Sequence, residues 1–359
     1  MSAAGEQAAL DRIERARARP RAFRDTHITT AHGAGGKATH DLIERLLVPE
    51  LGGGAALAKL ADAAVFGAGG ARFAMTADSF VVRPLRFPGG SIGELAINGT
   101  VNDLAMSGAA PLALTLSLVL EEGLDSEVLR AEAAAAGAAA GAAGIEIVGG
   151  DTKVVERGAA DGMYICTAGI GLLDERAQLD PGAARVGDRL LVSGPIAEHG
   201  IAVMLARGEF ELGGAVESDT CSLWPAVAAL LDACPRELRS LRDPTRGGLA
   251  SALNELAQAS QTAFIVHEEL VPLAPAVAGA CELLGIDPMY VACEGRLLAI
   301  VAPEAADRAL AALRGAGCPG AAQIGAVEED PAGMVLVATA FGSRRVLDML
   351  VGDPLPRIC

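Results

Sequence analysis

Segments with the periodicity of strands alternate with helix-like segments along both halves of this chain. In the first half, RFAMTADSFVV and GMYICTAGIGLL are typical of strands, while SIGELAINGTVNDLAMSGA and the alanine-rich LDSEVLRAEAAAAGAAAGAAG are typical of helices. In the second half, the strand-like RLLVSGP, TAFIVHEEL and ACEGRLLAIVAP alternate with the helix-like AEHGIAVMLARG and DPTRGGLASALNELAQAS. Because interleaved strands and helices pack as layers, the sequence predicts an α/β or α+β protein.

The length and one polar stretch predict two domains. A chain of 359 residues exceeds what one hydrophobic core usually serves. The segment DERAQLDPGAARVGD is polar and broken by Pro181 and Gly182, so we predict a linker at residues 175–187. The predicted domains are residues 25–174 and 188–345, flanked by an arm at 1–24 and a flexible tail at 346–359.

Composition indicates a folded protein of the cytoplasm. Hydrophobic residues make up 51% of the chain and charged residues 21%, which is enough apolar material for buried cores. The net charge of -16 disfavours nucleic acid and anionic membranes as partners. The sequence shows neither a long apolar run nor a signal-peptide core, so we expect a soluble, cytoplasmic chain that contacts no membrane.

The chain ends in DPLPRIC, so that its last residue is a cysteine. The other six of the seven cysteines lie in apolar surroundings without a C-x-x-C pair, and we expect small buried hydrophobes there. We predict that Cys359 is unshielded. Pro354 and Pro356 favour a stiff, extended arm with a reach of roughly 20 Å. The adjacent carboxylate disfavours its thiolate, which Arg357 offsets only in part, so the tail is not built as an efficient nucleophile.

Three aspartates follow strand-like or helix-like segments: Asp78 in TADS, Asp103 in TVND and Asp151 in GGDT. Each by itself is equally typical of a turn or a helix cap. Together they suit Mg²⁺, which takes carboxylate oxygens from several loops together with nucleotide phosphates.

Two glycine-rich loops, HGAGGK and DPTRGG, have the composition of phosphate-binding turns or of ordinary loops. The first is not a Walker A sequence, because Ala38 follows Lys37 where Ser or Thr is required. Lys153 and Glu294 lie at the rims of apolar strands, where an ionisable group is either paired or functional.

Taken together, HGAGGK, MTADSFVV, INGTVNDLAMSGAAPLAL, GGDTKVV, DPTRGGLASALNELA, CEGRLLAIV and the terminal PRIC resemble the HypE family of hydrogenase maturation proteins. That family lies within the aminoimidazole ribonucleotide synthetase (PurM-like) superfamily. The resemblance runs from about residue 27 to the C-terminus. GTVNDLAM with DPTRGG is specific for the superfamily, and PRIC for the HypE family.

The resemblance implies the two-domain PurM-like fold and an ATP-dependent carbamoyl dehydratase. A partner, HypF, would place a carbamoyl group on Cys359, and the chain would dehydrate it to a thiocyanate. The cyano group would pass to the HypC–HypD complex as a cyanide ligand of nickel-iron hydrogenase. A homodimer with ATP near the subunit interface is also implied.

The resemblance further assigns roles to the candidate residues. Glu294 would accept a proton and Lys153 would stabilise developing charge beside Cys359, so these three form the catalytic set. Asp78, Asp103 and Asp151 would hold Mg²⁺ and the ATP phosphates, with help from Asn102. The nucleotide would be covered by the two loops, through Gly33, Gly35, Gly36, Arg246, Gly247 and Gly248.

Two other functions remain as alternatives. The chain could be a carrier or scaffold for the cyano group without ATP chemistry of its own, or another ATP-dependent member of the superfamily. Selenophosphate synthetases normally carry Cys or selenocysteine in the first glycine loop, whereas no cysteine precedes Cys166 here. Measured ATP use coupled to dehydration of the tail separates the enzyme from the carrier.

Overall fold

A computed structural model describes residues 23–52, 61–208, 216–340, 342–350, 352 and 357–359. The predicted arm therefore lies almost wholly outside the described residues, as do both prolines of the tail. The strands of the first half are β1 Ala64–Ala68, β2 Ala71–Phe80, β3 Arg86–Phe87, β4 Gly90–Ser91, β5 Ala109–Glu121, β6 Glu146–Gly149, β7 Thr152–Val155 and β8 Met163–Leu173. Its helices are α1 Lys37–Leu42, α2 Val48–Glu50, α3 Ile92–Met106 and α4 Ser126–Ala143, with a π-helical turn Ile43–Leu47 joining α1 to α2.

The first half forms a six-stranded sheet with one helix-covered face. Its order is β1-β2-β8-β5-β6, and β7 also pairs with β5. β5 runs parallel to β6 and β7, while the other pairs are antiparallel. Burial alternates along β8, as expected for a strand with one face against a core. Helix α3 packs on that face and is buried over nearly its whole length.

The second half forms a seven-stranded sheet with the order β10-β12-β9-β13-β11-β14-β15. Its strands are β9 Arg189–Val192, β10 Leu238–Arg242, β11 Ala263–His267, β12 Leu298–Val301, β13 Ala322–Glu328, β14 Val335–Ala338 and β15 Arg344–Val346. Its helices are α5 Glu198–Ala206, α6 Trp224–Ala233, α7 Gly248–Ser260, α8 Pro275–Leu284 and α9 Ala306–Gly315. Two sheets with helices confirm the predicted mixed α and β class.

The two halves share buried apolar clusters. One cluster joins Phe80, Ile92 and Met163 of the first half to Leu253 and Phe264 of the second. Ile358, next to the C-terminus, belongs to the same cluster. The residues between β8 and β9 form turns without a helix or strand. The exact division into domains stays a prediction.

Several local predictions are confirmed and others are not. Asp78 lies near the end of β2, and Gly144 closes α4 in the left-handed conformation at φ 68°. The segment from Ala292 was predicted to be one strand. The strand begins only at Leu298, so Glu294 lies in the preceding loop. The prediction of six buried cysteines is wrong for Cys221, which is exposed, and for Cys166 and Cys318, which are half-buried.

The second face of the first sheet exposes apolar side chains. Phe66 and Met75 are 42% and 50% exposed on neighbouring strands, and Phe66 packs against Phe73 with ring centroids 6.0 Å apart. Leu172 on β8, which pairs with Phe73 of β2, is 42% exposed on the same face. No helix in the described residues combines the length and the apolar character that a membrane span requires.

Candidate active site

A cavity of about 740 Å³ brings together residues from the first glycine loop, β2, α3, α7 and the loop before β12. Its volume is in the range of pockets that hold small ligands. Six of the predicted site residues line it: Gly35, Asp78, Asp103, Arg246, Glu294 and Cys359. Residues far apart in the chain therefore meet at one site.

A cluster of carboxylates forms the acidic part of this cavity. Oxygens of Asp62, Asp103 and Asp243 all lie within 4.8 Å of one another. Asp62 precedes β1, Asp103 lies on α3 and Asp243 directly follows β10, so three elements converge here. Thr76 on β2 donates a hydrogen bond to Asp103 Oδ2 at 2.7 Å. Three converging carboxylates suit a hard divalent cation.

Burial raises the pKa of each carboxyl group in this cluster. The pKa of Asp62 is raised to about 8 and that of Asp243 to about 6, although Arg242 opposes both shifts. The pKa of Asp103 is raised well above its ordinary value, by burial first and then by Asp243 and Asp62. Like charges held together out of water are costly unless a cation joins them. The electrostatics therefore agree with the geometry of a cation site.

Only Asp103 of this cluster was predicted as a metal ligand. Asp243 is the first residue of DPTRGG, so its position before a glycine turn was a usable signal. Asp62 stands in an alanine-rich segment without a motif. Asp78 lines the same cavity outside the cluster, with its pKa raised by burial and opposed by Arg246.

The two glycine loops contact each other closely. Gly35 and Gly247 adopt φ of 73° and 81°. A Cβ atom on Gly35 would lie 2.4 Å from the Arg246 carbonyl oxygen, so the contact requires glycine. Ser251 donates to the Gly35 carbonyl at 2.9 Å, and Arg246 Nη1 donates to that of Gly33 at 3.2 Å. The loops thus form one wall of the site.

A second cavity of about 220 Å³ lies between this wall and the tail. Gly33, Gly36, Gly247 and Cys359 line it, and Arg246 borders both cavities. Gly248 packs instead against the backbone of residues 289–291. Its predicted contact with phosphate therefore has no counterpart in either cavity.

The C-terminus is docked in the site, contrary to the prediction of an unshielded thiol. Val81 N donates to the carbonyl oxygen of Cys359 at 3.2 Å, and Arg83 N to that of Arg357 at 3.3 Å. The last residues thus add to the chain that follows β2 in the manner of a strand. Burial raises the pKa of the Cys359 thiol well above its usual value, the charge of Glu294 raises it further, and Arg246 opposes both. The thiol is held protonated beside Glu294.

Glu294 is a buried carboxyl group at the meeting point of the tail and the acidic wall. Its side chain is 4% exposed, and its main-chain N donates to Asp219 Oδ1 at 2.9 Å. Burial raises its pKa well above the ordinary value, with Asp243 and Asp78 adding to the shift. Among the described residues, Oε1 of Glu294 has no hydrogen-bond partner. A carboxyl group of this kind is poised to exchange a proton with a ligand.

The Asn102 side chain contacts protein backbone. Its Nδ2 donates to the carbonyl oxygens of Cys221 at 3.0 Å and Glu294 at 3.2 Å, and its Oδ1 accepts from Leu223 N at 2.8 Å. The amide thus joins α3 to the loop of Glu294, and the predicted help of Asn102 in nucleotide binding stays a prediction.

Asp151 and Lys153 lie outside both cavities of the single chain. They pair with each other at 2.5 Å around the start of β7, where their side chains are 61% and 68% exposed. This pair explains why the pKa of Asp151 is lowered. The single chain therefore does not bring them to Glu294, and their roles in metal binding and catalysis stay predictions.

Comparisons with known proteins identify the family of this chain. Residues 60–173 match the family AIR synthase related protein, N-terminal domain, and residues 185–337 match AIR synthase related protein, C-terminal domain. Carbamoyl dehydratase HypE of Bradyrhizobium diazoefficiens is 48% identical over 338 residues, which cover 94% of this chain and 97% of the relative.

Solved structures indicate the same family. The structure of a HypE-HypF complex superposes with a TM-score of 0.81 at 38% identity, covering 86% of this chain and 99% of the other. Hydrogenase maturation protein HypE in complex with ATP has a TM-score of 0.77 at 43% identity, covering 93% and 100%. Thiamine monophosphate kinase (ThiL) from Aquifex aeolicus, at 20% identity and a TM-score of 0.62, shares the fold alone. The chain belongs to the AIR synthase related proteins and, within them, to the HypE family of carbamoyl dehydratases.

Proposed function

We propose that this chain uses ATP to dehydrate a carbamoyl group on its own Cys359 to a thiocyanate. The observation that carries the proposal is that the C-terminal cysteine lies in the same cavity as Glu294 and the carboxylate cluster. The names of the relatives support the dehydration, and the ATP complex of one of them supports the use of ATP.

The chemistry follows from the poor leaving ability of an amide oxygen. That oxygen becomes a phosphate ester by taking the γ-phosphoryl group of ATP, with ADP released. Loss of both nitrogen protons and expulsion of phosphate then leave S–C≡N, so ATP and the thiocarbamate yield ADP, phosphate and the thiocyanate. Glu294 would accept a nitrogen proton, since a carboxylate with a raised pKa is a stronger base. Arg246 would stabilise negative charge on the oxygen or on phosphate.

Mg²⁺ would be held by Asp62, Asp103 and Asp243, with Asp78 close by on the same cavity. Bound there, the ion would neutralise the negative charge of the nucleotide phosphates. Gly35 and Arg246 would face the phosphates from the glycine wall. Asp151 is not needed for this ligand set within one chain.

A homodimer would explain the exposed apolar face of the first sheet. Phe66, Met75 and Leu172 would be covered by a second copy, which removes apolar surface from water. Lys153 on β7 pairs with Val119 of β5, which pairs in turn with Tyr164 of β8, so the Lys153 side chain lies on this same face. Asp151, which directly precedes β7, forms an ion pair with Lys153. In the dimer, Lys153 would reach the site of the partner subunit.

The tail would have several partners in the cytoplasm. HypF would supply the carbamoyl group, a proposal supported by the solved complex of a relative with HypF. The HypC–HypD complex would accept the cyano group for the nickel-iron site of a hydrogenase. Because Cys359 is docked here, each transfer requires the tail to leave the cavity.

Intact-mass analysis of the C-terminal peptide tests the proposal. The chain is incubated with HypF, carbamoyl phosphate and magnesium ATP, and ADP release is followed in parallel. We expect a cyano group on Cys359, none in Cys359→Ala, and arrest at the carbamoyl stage in Glu294→Gln. Conversion without ATP consumption would establish the carrier function instead, and normal conversion by Glu294→Gln would remove that residue from the mechanism.

A further inference from the structure

The carbonyl groups of the last three residues all accept hydrogen bonds from the body of the chain. Arg207 Nη2 donates to the Arg357 oxygen at 2.8 Å, and main-chain N–H groups bind those of Arg357 and Cys359. The oxygen of Ile358 is bound differently, by the Nε2 atom of His199 at 3.0 Å. The carbonyl group that this side chain binds thus belongs to the residue directly before the reactive cysteine.

His199 is held in one orientation and one tautomer. A carbonyl oxygen only accepts, so Nε2 must carry the proton, and Nδ1 then accepts from the Ser218 hydroxyl at 2.8 Å. Ser218 Oγ in turn accepts from Thr220 N at 3.2 Å. The edge of the ring contacts Phe87, with centroids 5.3 Å apart. The imidazole is thus a fixed, neutral donor aimed at the tail.

The location of this donor decides what it can do. His199 is fully buried, and burial lowers its pKa to about 4, so the ring stays neutral near pH 7. The tail residue it holds, Ile358, is also buried in the shared apolar cluster. The other side-chain contacts of the tail are nearer to solvent, as with Asp161, which binds Arg357 and is 31% exposed. A hydrogen bond shielded from water is harder to replace.

We propose that His199 is a positioning residue for the dehydration, which fixes the peptide carbonyl of Ile358 and thereby sets where the sulfur of Cys359 lies. The inference rests on the proposed function, because it assumes that chemistry occurs on the docked tail. The contact is made to the tail backbone, so it can form whether the sulfur is free, carbamoylated or cyanated. Its loss lowers the fraction of time that the group spends beside Glu294.

The same contact opposes delivery of the tail to other proteins. A tail held by His199 is unavailable to a carbamoyl-transferring partner, since the sulfur lies in the cavity. Weakening the contact should therefore slow dehydration while leaving carbamoylation unchanged or faster. A defect that was only structural would slow both reactions or lower the melting temperature alone.

The test measures the two steps separately on the full-length chain. Wild type, His199→Leu and His199→Gln are carbamoylated by HypF, isolated, and mixed with magnesium ATP in a single turnover followed by intact mass. Gln keeps a donor near the Nε2 position, whereas Leu removes it. We expect His199→Leu to dehydrate at least about tenfold more slowly, and His199→Gln to stay within about threefold of wild type.

The outcomes separate this inference from the proposed function. Wild type that never forms thiocyanate would refute the proposed function and this inference with it. If wild type converts and His199→Leu converts equally fast, or if Gln is as slow as Leu, only the positioning role is overturned. Should the Leu variant fail to fold, Ser218→Ala decides: it removes the hydroxyl that holds Nδ1 and so loosens the orientation of the ring, and an unchanged dehydration rate there would overturn the inference.

Discussion

The side-chain amide of Asn102 donates a hydrogen bond to the main-chain oxygen of Glu294, 3.2 Å away, and so joins helix α3 to the loop of the candidate base. The same amide binds two further backbone groups, at Cys221 and Leu223. Asn102 is 1% exposed, and its bonds to Glu294 and Leu223 are buried while that to Cys221 is partly buried. The position of Glu294 thus depends on a residue from the other half of the chain.

Replacement of Asn102 by Ala should be costly for both stability and rate. It leaves buried backbone groups without partners, so we expect the free energy of unfolding, measured in urea, to fall by about 2–4 kcal/mol. Thiocyanate formation should fall because the Glu294 loop is released. Asn98→Ala on the same helix is the matched control, since among the described residues the Asn98 side chain makes one bond, of 3.3 Å, to Thr220. Equal losses in the two variants would contradict the bridging role.

Asp243→Asn should have opposite effects on the protein with and without Mg²⁺. Without the cation it removes one of three clustered carboxylates, so the melting temperature should rise by a few degrees, at about 2–4 °C per kcal/mol. With Mg²⁺, affinity for ATP should fall at least about tenfold, measured by calorimetry. Asp232→Asn changes an exposed carboxylate outside the cluster and should alter neither. Unchanged magnesium-dependent affinity in Asp243→Asn would exclude this cation site.

His40 should make stability depend on pH. The hydrogen bond to Glu255 at 3.1 Å and the Glu44 carboxylate 3.7 Å away raise its pKa from 6.5 to about 9, against the effect of burial. The folded state therefore favours the charged ring, a stabilisation fully present below 6.5 and lost as the pH rises through about 9. His40→Gln should cost about 2 kcal/mol near pH 6 and much less near pH 10, measured by urea unfolding.

The control for this experiment is His267→Gln. The His267 side chain is 45% exposed and lies 4.0 Å from Glu269, so its replacement should cost less than about 0.5 kcal/mol at either pH. If the cost of His40→Gln does not change with pH, the folded protein does not favour the charged form of His40.

Mixing subunits tests whether Lys153 acts across the proposed dimer. In a mixed dimer of Lys153→Ala and Glu294→Gln chains, one site keeps both wild-type residues if Lys153 enters the site of the partner subunit. An equal mixture that exchanges freely should then recover about one quarter of wild-type dehydration by random pairing of symmetric dimers. If Lys153 acts in its own chain, every site lacks one residue and no activity returns.

Much of the fold was predictable because it depends on local pattern. The alternation in β8, the alanine-rich helix ending at Gly144, and the glycine turn before α7 each follow from a few neighbouring residues. Other features depend on distant partners. Glu294 was expected at the rim of a strand, but its loop is held by Asn102 and Asp219, which no periodicity reveals.

The sequence by itself determined the class of fold and the family, and it also singled out the terminal cysteine as the proposed reacting group, because these features lie in contiguous motifs. Only the tertiary structure decided which carboxylates form the candidate cation site, since Asp62 and Asp243 meet Asp103 through chain folding. It also decided that Cys359 is sheltered: the buried donor of His199 and the strand-like contacts beyond β2 hold a tail whose own residues favour only an extended form.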